Sequence, residues 1–262
     1  MKIGNFSVNN QQNHLVSFKG FPKGIKSIEQ LAIKKGEDVF TRLEVNVPFN
    51  KDGQIAEFAR IDAIIPTLNT LLGKKARVTA AAHCEDGPMK LVAKAIEQRI
   101  GRPVVFVEDL DKTEQVVSKM EPGSIALLDN LRKLPGEKSK DKAEARDFAR
   151  MIAGHVDYYV NDALGVLHRN HSSMVEVPQL VPVENRAAGL NLMEELNAYQ
   201  RLLNTPGPSY TKYGGSKLST KLDIASGTKD VLNPGSVMRL DGAMPHTIFN
   251  ARGINVGKSK IE

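Results

Sequence analysis

The sequence predicts an α/β protein: a doubly wound parallel sheet, a linker helix, and an incomplete second α/β unit. Three observations predict it. Short apolar runs alternate with helical patterns of ten or more residues, which implies parallel pairing through crossovers. Polar and basic residues follow the ends of the apolar runs, where open α/β sheets bind ligands. A long helical pattern is then stopped by Pro206 and Pro208, leaving a tail too short for another doubly wound domain.

Residues 1–26 are polar, with Gly20, Pro22 and Gly24 near their end, and read as an N-terminal extension. Asp38 to Val47 reads as a strand stopped at Pro48, and Asn50 to Gly53 is turn chemistry. Phe58, Ile61, Ile65, Leu68 and Leu72 recur at helical spacing, with a kink or fresh start expected at Pro66. Ala76 to His83 reads as a buried strand, and Leu91 to Ile100 as a helix closed by Gly101. Strands follow at Pro103 to Val107 and Ser124 to Leu128. Glu137 to Arg150 starts as a charged loop and becomes an amphipathic helix ended by Gly154, and Tyr158 opens another strand. Residues 27–187 form the first domain on this reading. A linker helix covers 188–205, and 206–262 is the partial second domain.

Composition excludes several classes. Hydrophobic residues at 41% and charged residues at 25% are ordinary for a globular chain. No apolar run has the length of a membrane span, the first residues lack a signal-like apolar core, and Cys84 is the lone cysteine. A cytoplasmic protein is expected. The net charge of +6 is uneven, with eight Lys and Arg against four Asp and Glu in residues 206–262. There is no long basic run, and a small anionic ligand accounts for the excess as well as a nucleic acid does, so charge alone does not decide between them.

The polar residues behind the strands carry the chemistry. They are Asn46, His83, Asn130, Arg132, Asn161, Asp162, His168, Arg169 and His171, with Arg60 near the start of the first helix. Arginines converging on one sheet edge suit a ligand with both phosphate and carboxylate, since guanidinium matches either group bidentately. Asp162 either pairs with a histidine or caps a helix, the cap being favoured. Gly214-Gly215-Ser216-Lys217, with Lys221 one turn on, follows a short strand at Ser209 to Tyr213 and can cradle phosphates through backbone N–H groups. GINVGKS at 253–259 has three residues between its glycines where a P-loop needs four, and is rejected as one.

Taken in order, these segments resemble the phosphoglycerate kinase family. The residues that carry the resemblance are RLEVNVP (42–48), AHCEDGP (82–88), LLDNLR (127–132), YVNDALGVLHRNHSSMV (159–175), GGSKLSTK (214–221) and DGAMPHTIFNARGINVGKS (241–259). The resemblance implies reversible phosphoryl transfer between 1,3-bisphosphoglycerate with ADP and 3-phosphoglycerate with ATP, in glycolysis, with Mg2+ accompanying the nucleotide. It also implies that Glu44, Asn46, Arg60, His83, Arg132 and Arg169 hold the glycerate substrate. Gly214, Lys217 and Lys221 would face the nucleotide, with Arg60 and Lys217 stabilising the transferring phosphoryl group. No residue is assigned to a metal.

Departures from the family pattern qualify these expectations. Glu44 stands where an aspartate is usual, and Glu85-Asp86 where a phosphate-binding arginine is usual, so Asp86 is expected to weaken ligand binding. The chain stops at Glu262, ahead of the segments that the resemblance assigns to the adenine pocket and the metal-binding aspartate. Little turnover is therefore expected of this chain alone, and self-association through an open sheet edge is an expected consequence. The competing reading is a non-catalytic anion-binding or interaction protein derived from the kinase.

Overall fold

The computed structural model describes residues 24–262 apart from 86, 230 and 231. Most of the expected N-terminal extension, and Asp86, lie outside the described residues. The rest divides into two compact units, 24–197 and 198–262.

The first unit is built on six strands: β1 (Asp38–Leu43), β2 (Arg77–Ala81), β3 (Val104–Val107), β4 (Ile125–Leu128), β5 (Tyr158–Asp162) and β6 (Arg186–Ala188). They lie in the order β3-β4-β2-β1-β5-β6, and every pairing is parallel. The crossovers carry α1 (Ala59–Gly73), α2 (Met89–Ile100), α3 (Thr113–Val117), α4 (Lys142–Ala153) and α5 (Ser172–Val175). After β6 comes α6 (Leu190–Asn204), within which the division between the two units falls.

A parallel sheet covered on both faces needs strands that are apolar throughout, and all residues of β1 and β4 are buried. Side chains alternate between faces. Val39 and Leu43 pack with Ile61, Leu68 and Leu72 of α1 and with Val92 and Ile96 of α2. Phe40, Ala126 and Leu128 pack on the other face with Phe148, Ala149 and Ile152 of α4. Each large aliphatic or aromatic side chain in these layers contributes roughly 1.5–3 kcal/mol by leaving water.

Several local expectations need correction. Strand β1 ends at Leu43 rather than Val47, because its pairings stop at Arg42 opposite Ala81 and Leu43 opposite Asp162. Val45 and Val47 continue as buried, irregular chain. Helix α1 runs through Pro66 without interruption. Both of its halves bury residues in one core, Ile61 and Ile64 before the proline and Leu68, Leu71 and Leu72 after it. That burial outweighs the lost backbone bond. The buried stripe is accordingly shifted, leaving Phe58 exposed and Ile65 half-buried. Glu137, read as part of a charged loop, is fully buried in a 3-10 turn.

Helix ends follow sequence chemistry closely. Gly101 closes α2 in the left-handed region at φ 63°, and Asp141 caps α4 by accepting from the amides of Ala143 and Glu144.

The second unit contains β7 (Tyr210–Tyr213) and β8 (Val237–Leu240), paired in parallel and joined through α7 (Ser219–Lys229). Helix α8 (Met244–Ala251) follows. Residues 252–262 form neither helix nor strand.

Candidate functional site

A cleft of about 290 Å³ lies at the carboxyl ends of β1, β2, β4 and β5. Its position is set by the sheet order. From β1 the chain moves to β2 on one side, while β5 lies on the other, so the crossovers diverge and leave a crevice. All six residues expected to hold the glycerate substrate line it: Glu44, Asn46, Arg60, His83, Arg132 and Arg169. They come from the segments after β1, β2, β4 and β5 and from the first turn of α1.

The arginines do not all meet the cleft in the same state. Arg60 Nη1 donates to Glu44 Oε1 at 3.1 Å, and the same carboxylate accepts from the Gly165 amide at 2.6 Å. A side chain at position 165 would overlap the Glu44 carboxylate as it stands, so the carboxylate would have to move aside. Arg132 Nη1 pairs with the carboxylate of Glu85. Arg169 has no ion-pair partner among the described residues. Asn46 turns its side-chain carbonyl to the Glu85 amide at 2.8 Å and so fixes the loop after β2.

Beneath the cleft lies a buried polar network that sequence reasoning missed. Arg42, the last but one residue of β1, is fully buried. Its Nε donates to Ser173 Oγ at 3.0 Å, its Nη2 lies 2.6 Å from His83 Nδ1, and its Nη1 donates to the Leu43 carbonyl. Ser173 passes the interaction on: its hydroxyl donates to Glu137 Oε1 at 2.7 Å and its amide to Oε2 at 3.0 Å. A buried cation is thus linked through a serine to a buried carboxylate, the pairing that burial of charge demands. Burial pulls the Arg42 guanidinium below its ordinary value, and the Glu137 carboxylate opposes this. One signal was available, because a charged residue inside a buried parallel strand has to be satisfied internally. Glu137 had no such signal.

Burial, followed by the positive fields of Arg42 and Arg132, pushes His83 down to about 3 and His171 to about 4. Both imidazoles are therefore neutral at pH 7. His171 is buried, with its ring 6.3 Å from that of His83; its Nδ1 lies 3.6 Å from Glu137 Oε1, without a hydrogen bond among the described residues.

The remaining candidates play other parts. Asp162 is a helix cap and not half of an acid–base pair: its Oδ1 accepts from the Leu192 amide at 2.8 Å at the start of α6. Burial raises it to about 6. Asn130 caps a 3-10 turn and donates to the Cys84 carbonyl, Asn161 accepts from the Ala163 amide, and His168 is exposed. Cys84 is buried against the Val47 carbonyl. Asp38, His155 and Asp157 cluster at the opposite end of the sheet, but Asp38 already holds Arg77 through two hydrogen bonds at 2.9 and 2.6 Å.

In the second unit, the turn at Gly214 and Gly215 meets the turn at Asp241 to Ala243, both at strand carboxyl ends. Ala243 N donates to Gly215 O at 3.0 Å, and a side chain on Gly242 (φ 70°) would strike that same oxygen. At the start of α7 the Glu262 carboxylate accepts from the amide and hydroxyl of Ser219. Gly214 and Lys217 precede this helix, and Lys221 lies in its first turn.

The model of the phosphoglycerate kinase family matches residues 28–262. The chain belongs to the phosphoglycerate kinase family. Curated relatives include the phosphoglycerate kinases of Geotalea uraniireducens, 32% identical over 249 residues, and Leifsonia xyli, 35% identical over 249 residues. Each alignment covers 91% of this chain and 60% of the relative, so the chain spans about three-fifths of their length. The crystal structure of phosphoglycerate kinase from Pyrococcus horikoshii shares the fold, with a TM-score of 0.77 at 23% identity over 89% of this chain and 59% of that one. That of Coxiella burnetii gives 0.72 at 26% identity, covering 91% and 60%. The α/β fold read from the sequence is therefore that of phosphoglycerate kinases. Among the described residues no helix is long and apolar enough to cross a membrane.

Proposed function

We propose that the cleft binds a phosphorylated glycerate, 3-phosphoglycerate or its 1-phosphorylated form, as the acceptor side of phosphoryl transfer with Mg-ATP or Mg-ADP. The observation that carries this reading is the meeting of Asn46, Arg60, His83, Arg132 and Arg169 at one carboxyl edge of the sheet. Guanidinium groups suit both ends of such a ligand. The cleft is of a size for a small acid, and family membership supplies the substrate class.

The residue types fit this chemistry. A glycerate carboxylate is ionised near neutral pH, so one of its oxygens attacks the γ-phosphorus directly and no general base is required. The bond to the leaving ADP oxygen breaks as the acyl phosphate forms. What the protein supplies is alignment and positive charge. Arg60 would supply that charge to the acceptor and Lys217 to the nucleotide phosphates, with His83 offering a neutral N–H donor.

For the nucleotide, the donor set at the start of α7 suits an anion, since the Ser219 amide and hydroxyl already hold a carboxylate. Gly214, Lys217 and Lys221 are the residues that would hold its phosphates. Magnesium, which neutralises phosphate charge when bound, enters this reading with the nucleotide. Asp241, the carboxylate at the end of β8, is engaged by Lys212 at 2.8 Å and Arg239 at 2.6 Å, and no residue is assigned to the ion. On this reading the protein acts in cytoplasmic glycolysis.

One observation favours a second reading, an anion-binding protein without transfer. Two of the acceptor arginines already face carboxylates, Arg60 with Glu44 and Arg132 with Glu85. A coupled assay of ATP-dependent 3-phosphoglycerate phosphorylation separates the two. Turnover lost in both Arg60→Ala and Lys217→Ala supports transfer. Binding of 3-phosphoglycerate without turnover selects the second reading, and absence of both refutes the proposal.

A further inference from the structure

The cleft carries its own counter-anion. Glu85 sits in the loop after β2, and the peptide that precedes it is held at both of its polar atoms: the Glu85 amide donates to Asn46 Oδ1 at 2.8 Å, and the Cys84 carbonyl accepts from Asn130 Nδ2 at 2.5 Å. From this fixed backbone the Glu85 carboxylate reaches Arg132 Nη1. Both residues line the cleft, the Arg132 side chain 21% exposed and that of Glu85 53%. Arg132 Nε is buried with no partner among the described residues. The Nη1 edge of this guanidinium is thus committed to an internal carboxylate, while the Nε edge is closed off from the cleft.

The charge census gives this pair its consequence. Arg42, Arg60, Arg132 and Arg169 line the cleft against Glu44 and Glu85, and His83 adds no charge at pH 7. Glu44 is held twice, by Arg60 and by the Gly165 amide. Glu85 has Arg132 as its one ion-pair partner among the described residues, and more than half of its side chain meets solvent. It is the carboxylate that an entering anion can displace.

We propose that Glu85 is a specificity-determining residue: an anionic ligand gains Arg132 only by displacing the Glu85 carboxylate, and the cleft is thereby tuned against weakly held anions. The inference rests on the reading above for the identity of its ligand. It also relocates the effect expected of Asp86, which lies outside the described residues, to the neighbouring carboxylate that lines the cleft.

The test is calorimetric titration of the full chain, Glu85→Gln, Arg132→Gln and the double variant, with inorganic phosphate and separately with 3-phosphoglycerate at low ionic strength. Exposed ion pairs of this kind shift a competing equilibrium by up to about fivefold, so Glu85→Gln is expected to tighten both ligands about threefold to fivefold. In the Arg132→Gln background the same change should have no effect. Equal or weaker affinity in Glu85→Gln, an undiminished gain without Arg132, or no anion binding by any of these proteins would overturn the inference. Tighter phosphate with no binding of 3-phosphoglycerate would uphold it and refute the ligand assignment. Equal 3-phosphoglycerate affinity in wild type and Glu85→Gln would do the reverse.

Discussion

Arg42 Nη2 lies 2.6 Å from His83 Nδ1 beneath the cleft, and both side chains are buried. A guanidinium can only donate, so Nδ1 must accept and the ring proton must sit on Nε2. The protein thereby holds His83 as a neutral donor of fixed tautomer on the wall of the cleft. Nitrogen NMR is expected to show the Nε2–H form at pH 7 and a titration midpoint near the value of about 3 that burial and Arg42 impose. A midpoint near 6.5 would contradict the arrangement.

The stability of the protein should depend on acid in two opposing ways. His83 and His171 are held down at about 3 and about 4 in the fold. Their contribution is fully present above the unfolded value near 6.5 and is lost as pH falls through the folded ones. Asp162, raised to about 6 by burial, has the opposite sign. Its contribution is present below the unfolded value near 3.8 and is lost as pH rises through 6. Urea unfolding should therefore show Asp162→Asn losing stability more steeply than wild type between pH 7 and pH 5. Parallel profiles would remove Asp162 from the account.

Replacing Asp162 by alanine tests its structural part. The change removes the acceptor for the Leu192 amide and leaves the first turn of α6 uncapped. The expected cost is about 1–2 kcal/mol, read from the shift of the urea midpoint at pH 7.

Gly136 lies in a turn packed closely against α4. A Cβ there would lie 2.6 Å from Phe148 Cβ on α4, and Gly136 directly precedes the buried Glu137. Gly136→Ala should destabilise the protein by about 1–3 kcal/mol and disturb the Glu137–Ser173–Arg42 link. An unchanged urea midpoint would show that α4 gives way freely.

Sequence reading reached the sheet and the cleft's rim by the same route. Strands flanked by Gly101 and Gly154 caps are local signals, and Arg60, His83, Arg132 and Arg169 follow strand ends by position alone. The depth of the site was less legible. Glu137 sits in a segment with the composition of a solvated loop, and only its tertiary contact with Ser173 distinguishes it. Pro66 misled because local chain chemistry opposes a helix that long-range packing maintains. Strand β6 was missed because three residues, Arg186–Ala188, carry no periodicity. For Glu85 the charge was legible, but its partner was not.

The most direct test of the cleft's identity is a phosphorus NMR titration of 3-phosphoglycerate with the full chain, alongside glycerol 3-phosphate, which keeps the phosphate and lacks the carboxylate. Arg169→Ala serves as the control, because Arg169 lines the cleft and has no ion-pair partner among the described residues. Saturable binding of 3-phosphoglycerate is expected, weaker by about tenfold or more both for glycerol 3-phosphate and in Arg169→Ala, the usual worth of a charge-assisted hydrogen bond. Equal affinity for the two ligands, or binding indifferent to Arg169→Ala, would contradict a site that recognises phosphate and carboxylate together.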